Sequence, residues 1–173
     1  SLTIDEVFNL AVKNHQEGKI DIAQEHYNQV LKIDPNHSQA LNNIAIIFTN
    51  LKDYQKAINT YEKAIEIDPN YADAHYNLGT IFKELGENEK AKGCFEKVIK
   101  INPNYTDAHN NLGVLFKEMG DLQKAKECFE KVIEINPNYG KAHNNLGVIF
   151  EKLEDYNKAK SYYKKAIEIN PNY

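Results

Sequence analysis

Residues 140–173 read GKAHNNLGVIFEKLEDYNKAKSYYKKAIEINPNY, and this stretch decides the fold. Ala142, Leu146, Val148-Ile149 and Leu153 recur at helical spacing, and after Asp155 a second set follows at Ala159, Tyr162-Tyr163, Ala166-Ile167 and Ile169. The spacing predicts two short helices joined by a tight turn. Pro-Asn closes the stretch, because proline disfavours helix at the residue before it and donates no hydrogen bond to the preceding turn. The same Pro-Asn stands at Pro35, Pro69, Pro103 and Pro137, each 34 residues from the next. One helical hairpin is therefore written five times, over 4–37, 38–71, 72–105, 106–139 and 140–173. The third and fourth copies agree at 24 of 34 positions, which fixes the phase.

Local chemistry agrees with that phase. Asp53, Asp121 and Asp155 fall at the start of a second helix, suited to accept its orphan N–H groups. Gly18, Gly86 and Gly120 fall one residue before that start, where the first helix must stop. Thr3-Ile4-Asp5-Glu6 has the form of a capping box. Small residues at Ala45, Gly79, Gly113 and Gly147 are expected to face Ala57, Ala91, Ala125 and Ala159, with Phe48, Phe82, Phe116 and Phe150 filling the gaps beside them. Tyr71, Tyr105, Tyr139 and Tyr173, with His37 substituting once, read as packing at the joints between copies.

Leu146-Gly147-x-x-Phe150, Ala159, Tyr163, Ala166 and Pro171 fall on the W-x2-L-G-x2-Y…A-x3-F…P pattern of the tetratricopeptide repeat, or TPR. The chain resembles that family over nearly its whole length. Leu-Gly-x-x-Phe recurs at Leu78–Phe82 and Leu112–Phe116, and departs to Ile44-Ala45-x-x-Phe48 and Leu10-Ala11-x-x-Asn14. The family's Trp is absent; His75, His109 and His143 take its place in three copies, Val7 and Leu41 in the others. The resemblance implies an all-α fold, a right-handed superhelical solenoid of five helix-turn-helix repeats, with the first helix of each repeat lining a concave surface.

In such arrays positions 2, 5, 6, 9, 12 and 13 of the repeat are open to a ligand. Position 6 is Asn throughout: Asn9, Asn43, Asn77, Asn111 and Asn145. A side-chain amide donates and accepts, so one Asn suits both the N–H and the C=O of a peptide main chain. Asn42, Asn110 and Asn144 add amides at position 5, where Phe8 and Tyr76 place aromatics. The row resembles the asparagine ladder of O-linked N-acetylglucosamine transferases, which holds extended protein substrates. Asn is also common at this position across TPRs, so the row reports either the family or peptide binding. The cations that clamp a chaperone's C-terminal carboxylate are missing: the corresponding positions hold Phe8, Val12, Tyr76 and Thr80, and only Asn43 fits.

The 173 residues carry a net charge of −4, and every basic residue is Lys. Nucleic acid is disfavoured by that charge, and the absent Arg removes the bidentate fork that suits phosphate. Lys against Asp plus Glu runs 3 to 6 in the first copy and 6 to 4 in the last. No apolar run approaches the ~20 residues of a membrane span. Cys94 and Cys128 lie one repeat apart, beyond disulfide reach, which points to a reducing, cytoplasmic setting. The histidines, also a repeat apart, cannot share a metal ion, and no cofactor, phosphate loop or catalytic carboxylate pair is visible. The reading is a non-enzymatic scaffold for a protein or peptide partner. Its alternative is a structural spacer that self-associates through the uncapped last repeat, or a fragment of a larger multi-repeat protein such as a transferase.

Overall fold

The computed structural model describes residues 2–172; Ser1 and Tyr173, the latter expected at a joint, lie outside them. Among the described residues the regular elements are ten helices: α1 (Ile4–Gln16), α2 (Ile20–Ile33), α3 (Ser38–Asn50), α4 (Tyr54–Ile67), α5 (Ala72–Glu84), α6 (Asn88–Ile101), α7 (Thr106–Glu118), α8 (Leu122–Ile135), α9 (Gly140–Lys152) and α10 (Tyr156–Ile169). The chain divides between Cys94 and Phe95, inside α6, into two compact units. In the first, α1 packs on α2, α2 on α3, α3 on α4 and α4 on α5; in the second, α7 packs on α8, α8 on α9 and α9 on α10. Within each unit a hairpin touches its sequence neighbours, the mode of packing that defines solenoid repeats.

Two turns, each specified by hydrogen bonds, generate this order. Within a hairpin, the N–H five residues on bonds back to the first helix: Lys19 to Asn14, Asp53 to Phe48, Glu87 to Phe82, Asp121 to Phe116 and Asp155 to Phe150, at 2.8–2.9 Å. This six-to-one closure requires a left-handed residue before it. Gly18, Gly86 and Gly120 supply it with φ of 74°, 74° and 84°. Asp53, Asp121 and Asp155 then cap the second helix, accepting from the N–H of Lys56, Lys124 and Lys158. The same lysines reach over Phe48, Phe116 and Phe150, with Nζ 5.1–5.7 Å from the ring centres. Thr3 and Glu6 form the capping box at the start of α1.

Between hairpins, the residue before each proline folds its side chain onto the N–H two positions later. Asp34, Asp68, Asn102, Asn136 and Asn170 accept from Asn36, Asn70, Asn104, Asn138 and Asn172 at 2.9–3.2 Å. Asp and Asn close such turns because their short side chain imitates a backbone carbonyl. The proline carbonyl is used too. His75, His109 and His143 bring Nε2 to within 3.1, 2.8 and 2.8 Å of the oxygens of Pro69, Pro103 and Pro137. The histidines thus tie each first helix to the turn before it, and His143 also packs against the ring of Tyr162, with ring centres 6.0 Å apart.

The core of each unit is a stack of alanines and rings: Ala23, Tyr27, Val30, Ala40 and Ile44 in one, Ala125, Phe129, Val132, Ala142 and Leu146 in the other. The close contact expected between the helices of a hairpin is made to a ring, not to an alanine. A Cβ added at Gly113 would lie 2.9 Å from the Phe129 ring, and one at Gly147 would lie 2.5 Å from that of Tyr163. Phe129 is fully buried and has nowhere to move, whereas Tyr163 lies at the half-exposed edge of α10. Overpacking is thus far more costly at Gly113 than at Gly147.

At the left-handed position of the hairpin turn, Lys52 and Glu154 replace glycine, with φ of 60° and 59°. A side chain there costs roughly 1–2 kcal/mol, of which glycine's greater unfolded-state entropy returns about 0.5–1. Lys52→Gly and Glu154→Gly should each raise stability by about 0.5–1 kcal/mol, read as a higher midpoint in urea unfolding. An unchanged or lower midpoint for both would show that the turns are not strained.

Candidate peptide-binding face

The first helices of neighbouring hairpins touch one another, α3 with α5 in the first unit and α7 with α9 in the second. Their outward side chains therefore share one face in each unit. On it Asn42, Asn43, Asn77 and Asn145 are already engaged. Asn43 donates to the hydroxyl of Tyr27 at 3.2 Å, and its own Oδ1 accepts from Asn42 at 3.3 Å. Asn77 donates across to Asn42 Oδ1 at 3.3 Å. In the second unit, Asn145 Oδ1 accepts from Lys117 Nζ at 2.6 Å. Asn9 is exposed, Asn111, Asn144 and Tyr76 are partly buried, and Asn42 and Asn110 are buried. Phe8 stacks against His37 with ring centres 4.8 Å apart, so this aromatic serves the joint between the first two hairpins.

The hydroxyl that meets Asn43 comes from the second helix of the preceding hairpin. Position 24 of each repeat is a ring, Tyr27, Tyr61, Phe95, Phe129 or Tyr163. Its hydroxyl, where present, also meets position 12 of its own hairpin: Tyr27 approaches His15 Nδ1 at 3.4 Å, Tyr61 bonds Thr49, and Tyr163 donates to Glu151 at 2.6 Å. Burial pushes the Tyr61 phenol up to about 12, so it acts only as a neutral group at physiological pH. In the two repeats with Phe at position 24, position 12 is Lys83 or Lys117. The sequence marks position 12 as open to a ligand, but its pairing with position 24 is visible only once the hairpin is closed.

The two cysteines lie on second helices, in α6 and α8. Burial pushes the thiols of Cys94 and Cys128 up to about 11, which leaves them protonated and weakly nucleophilic. Among the described residues, no group of three His, Cys, Asp or Glu side chains is placed to hold a metal ion, and no helix is long and apolar enough to cross a membrane.

An all-helical array of 34-residue hairpins presenting polar side chains on one face defines a repeat scaffold of the interaction class. The tetratricopeptide repeat model matches residues 72–105, 106–139 and 140–173, and other TPR models match 8–37, 26–59 and 47–86. The chain belongs to the tetratricopeptide repeat family. Among solved structures it is similar to MamA, at 30% identity and a TM-score of 0.83 over 94% of this chain and 95% of that one. It is similar also to YrrB, described as a TPR protein with an unusual peptide-binding site, at 25% identity and a TM-score of 0.80 over 99% and 88% of the two chains. Pseudomonas aeruginosa pilF shares the fold, with a TM-score of 0.88 at 24% identity over 96% and 76%. No curated protein matches the sequence.

The amides differ in what they do for the fold. Asn43→Ala strips the Tyr27 hydroxyl of a partner in a half-buried site and should cost about 1 kcal/mol, the usual net worth of such a bond. Asn9→Ala, at an exposed position, should leave the unfolding midpoint unchanged. Equal effects of the two substitutions would contradict this division.

Proposed function

We propose that this chain is a non-catalytic scaffold that holds an extended peptide segment against the face of its first helices. Asn9, Asn43, Asn77, Asn111 and Asn145 supply main-chain contacts, with Asn42, Asn110, Asn144, Phe8 and Tyr76 beside them. The observation that carries the reading is the Asn77–Asn42 contact: amides of successive first helices stand on one face, within reach of one another. Neighbouring helices pack about 8–10 Å apart and an extended chain advances about 3.3 Å per residue, so one first helix meets every third ligand residue. Val12, Ile46, Thr80, Val114 and Val148 at position 9 give a mildly apolar floor that suits a segment of low charge density. The likeness to YrrB, a peptide-binding relative, supports the same reading. The five intervals between Ile4 and Tyr173 are taken as its five repeats.

The test uses peptides selected on the wild-type chain from a random library. Replacing Asn77, Asn111 and Asn145 together by Ala should weaken their binding about 10- to 1000-fold, at roughly 0.5–1.5 kcal/mol per lost bond. N-methylation of the peptide backbone should cost more affinity than shuffling its side chains. Normal binding by the triple variant, in a chain that still folds, would overturn the reading.

A second reading rests on α10. Its Tyr156, Ala159, Tyr163 and Ile167 line an open groove of about 680 Å³ rimmed by Lys160, Lys164, Glu151 and Glu168. The rings equivalent to Tyr163 in the other repeats are at most 1% exposed, and Ile167 is 50% exposed. Such an apolar patch favours self-association. Ile167→Lys should then shift the chain toward monomer in sedimentation velocity, and a wild-type chain already monomeric at high micromolar concentration would exclude this reading.

A further inference from the structure

Among the described residues the second unit holds two buried side-chain atoms without a hydrogen-bond partner, His143 Nδ1 and Asn110 Oδ1, and the latter belongs to the asparagines of the first helices. Asn110 is 9% exposed, and its Oδ1 is buried without a hydrogen-bond partner. A buried acceptor in that state costs about as much as a lost hydrogen bond, so its retention calls for a reason. Its counterpart two repeats earlier, Asn42, shows what the partner would be. Asn42 Oδ1 accepts from Asn77, 35 residues on. The residue 35 after Asn110 is Asn145, and there the amide is turned instead to Lys117, from whose ammonium it accepts at 2.6 Å.

Position 24 differs between the joints that hold Asn43 and Asn145. Asn43 is held in place by the hydroxyl of Tyr27, the position-24 ring of the repeat before it. The ring in the same relation to Asn145 is Phe129, which has no hydroxyl. The missing oxygen has a second effect, since a position-24 hydroxyl is also what meets position 12. Glu151 accepts from the phenol of Tyr163 in its own hairpin, whereas Phe129 offers Lys117 no such oxygen, and Lys117 turns to Asn145. Lys117 and Asn145 thus meet beside an apolar ring.

We propose that Lys117 and Asn145 form a subsite for an acidic side chain of the bound segment, with Asn110 as the acceptor that completes the bound state. A carboxylate bonds an ammonium about twice as strongly as a neutral amide oxygen does. Lys117 therefore passes from Asn145 to the ligand. The released Asn145 amide turns its Nδ2 to Asn110 Oδ1, the arrangement that Asn77 and Asn42 already hold. Binding an acid satisfies the buried acceptor, and a neutral or basic residue at that place leaves it unsatisfied. This rests on the peptide-binding reading given above and names the chemistry that one subsite selects.

Two blocked hexapeptides serve as probes, hexaglutamate and hexaglutamine, each acetylated at its N-terminus and amidated at its C-terminus. They are titrated into the 15N-labelled full chain while the side-chain amide resonances are followed. The glutamate peptide should bind at least about tenfold more tightly than the glutamine peptide at low salt, and should shift the Asn145 and Asn110 amides. Lys117→Met should abolish the preference and Lys117→Arg should keep it. Phe129→Tyr restores the hydroxyl to a site built for a ring of that size, and should lower glutamate-peptide affinity several-fold without loss of melting temperature. Equal affinity for the two peptides, or a preference that survives Lys117→Met, would overturn the acidic subsite and leave the general peptide-binding reading intact. If neither peptide shifts any asparagine amide, both readings fail. Should Phe129→Tyr fold poorly, the Lys117 pair alone decides the matter.

Discussion

A flat ring pressed onto a residue with little or no side chain is the contact on which each hairpin depends. Phe129 lies over Gly113 and Tyr163 over Gly147, closely enough that a single added methyl would collide. The distance between the two helices follows from this contact, and so does the space left for the next first helix. Burial of Tyr27, Tyr61, Phe95 and Phe129 supplies the largest apolar contribution each repeat makes. The rest of the repeat exists to bring ring and small residue together from opposite helices. A 34-residue spacing, two turns and two alanine-lined faces are what that requires.

Both turns are closed by local hydrogen bonds, which makes the repeat insensitive to its neighbours' sequence. The Asx turn after each second helix and the six-to-one closure within each hairpin recur with nearly constant lengths, although the exposed residues around them vary. Stability is consequently a sum over repeats and the joints between them. Lys52 and Glu154 show the tolerance of the scheme, since each occupies a left-handed position without breaking its turn. A cap lost or a turn strained in one hairpin is a local cost.

The fold was legible in the sequence because its determinants are local or periodic. Pro-Asn spacing, the Gly of the hairpin turn, the Asp caps and the Thr3–Glu6 box all stand within a few residues of the groups they bond. What spacing could not convey was which atoms meet across helices. Gly113 and Ala125 share a hairpin, yet a ring fills the gap, because side-chain direction and not sequence distance selects the neighbour. The bond from the histidines at the family's Trp position to a proline carbonyl was hidden as well, since it forms only once the turn is closed. The asparagine row was visible at once, but its engagement was not, since Asn43 meets a hydroxyl 16 residues away in the preceding hairpin.

One oxygen atom separates the surroundings of Asn43 from those of Asn145. Where position 24 is Tyr27, the hydroxyl takes up the following asparagine, and the amide becomes part of the joint. Where it is Phe129, the ring packs as well, but the following asparagine must find its partner on the face itself. A buried hydroxyl and its absence are nearly equivalent for apolar packing and opposite for polar satisfaction. Exchanging Tyr for Phe in the core can therefore alter the polar contacts of the neighbouring asparagine while leaving every surface residue in place.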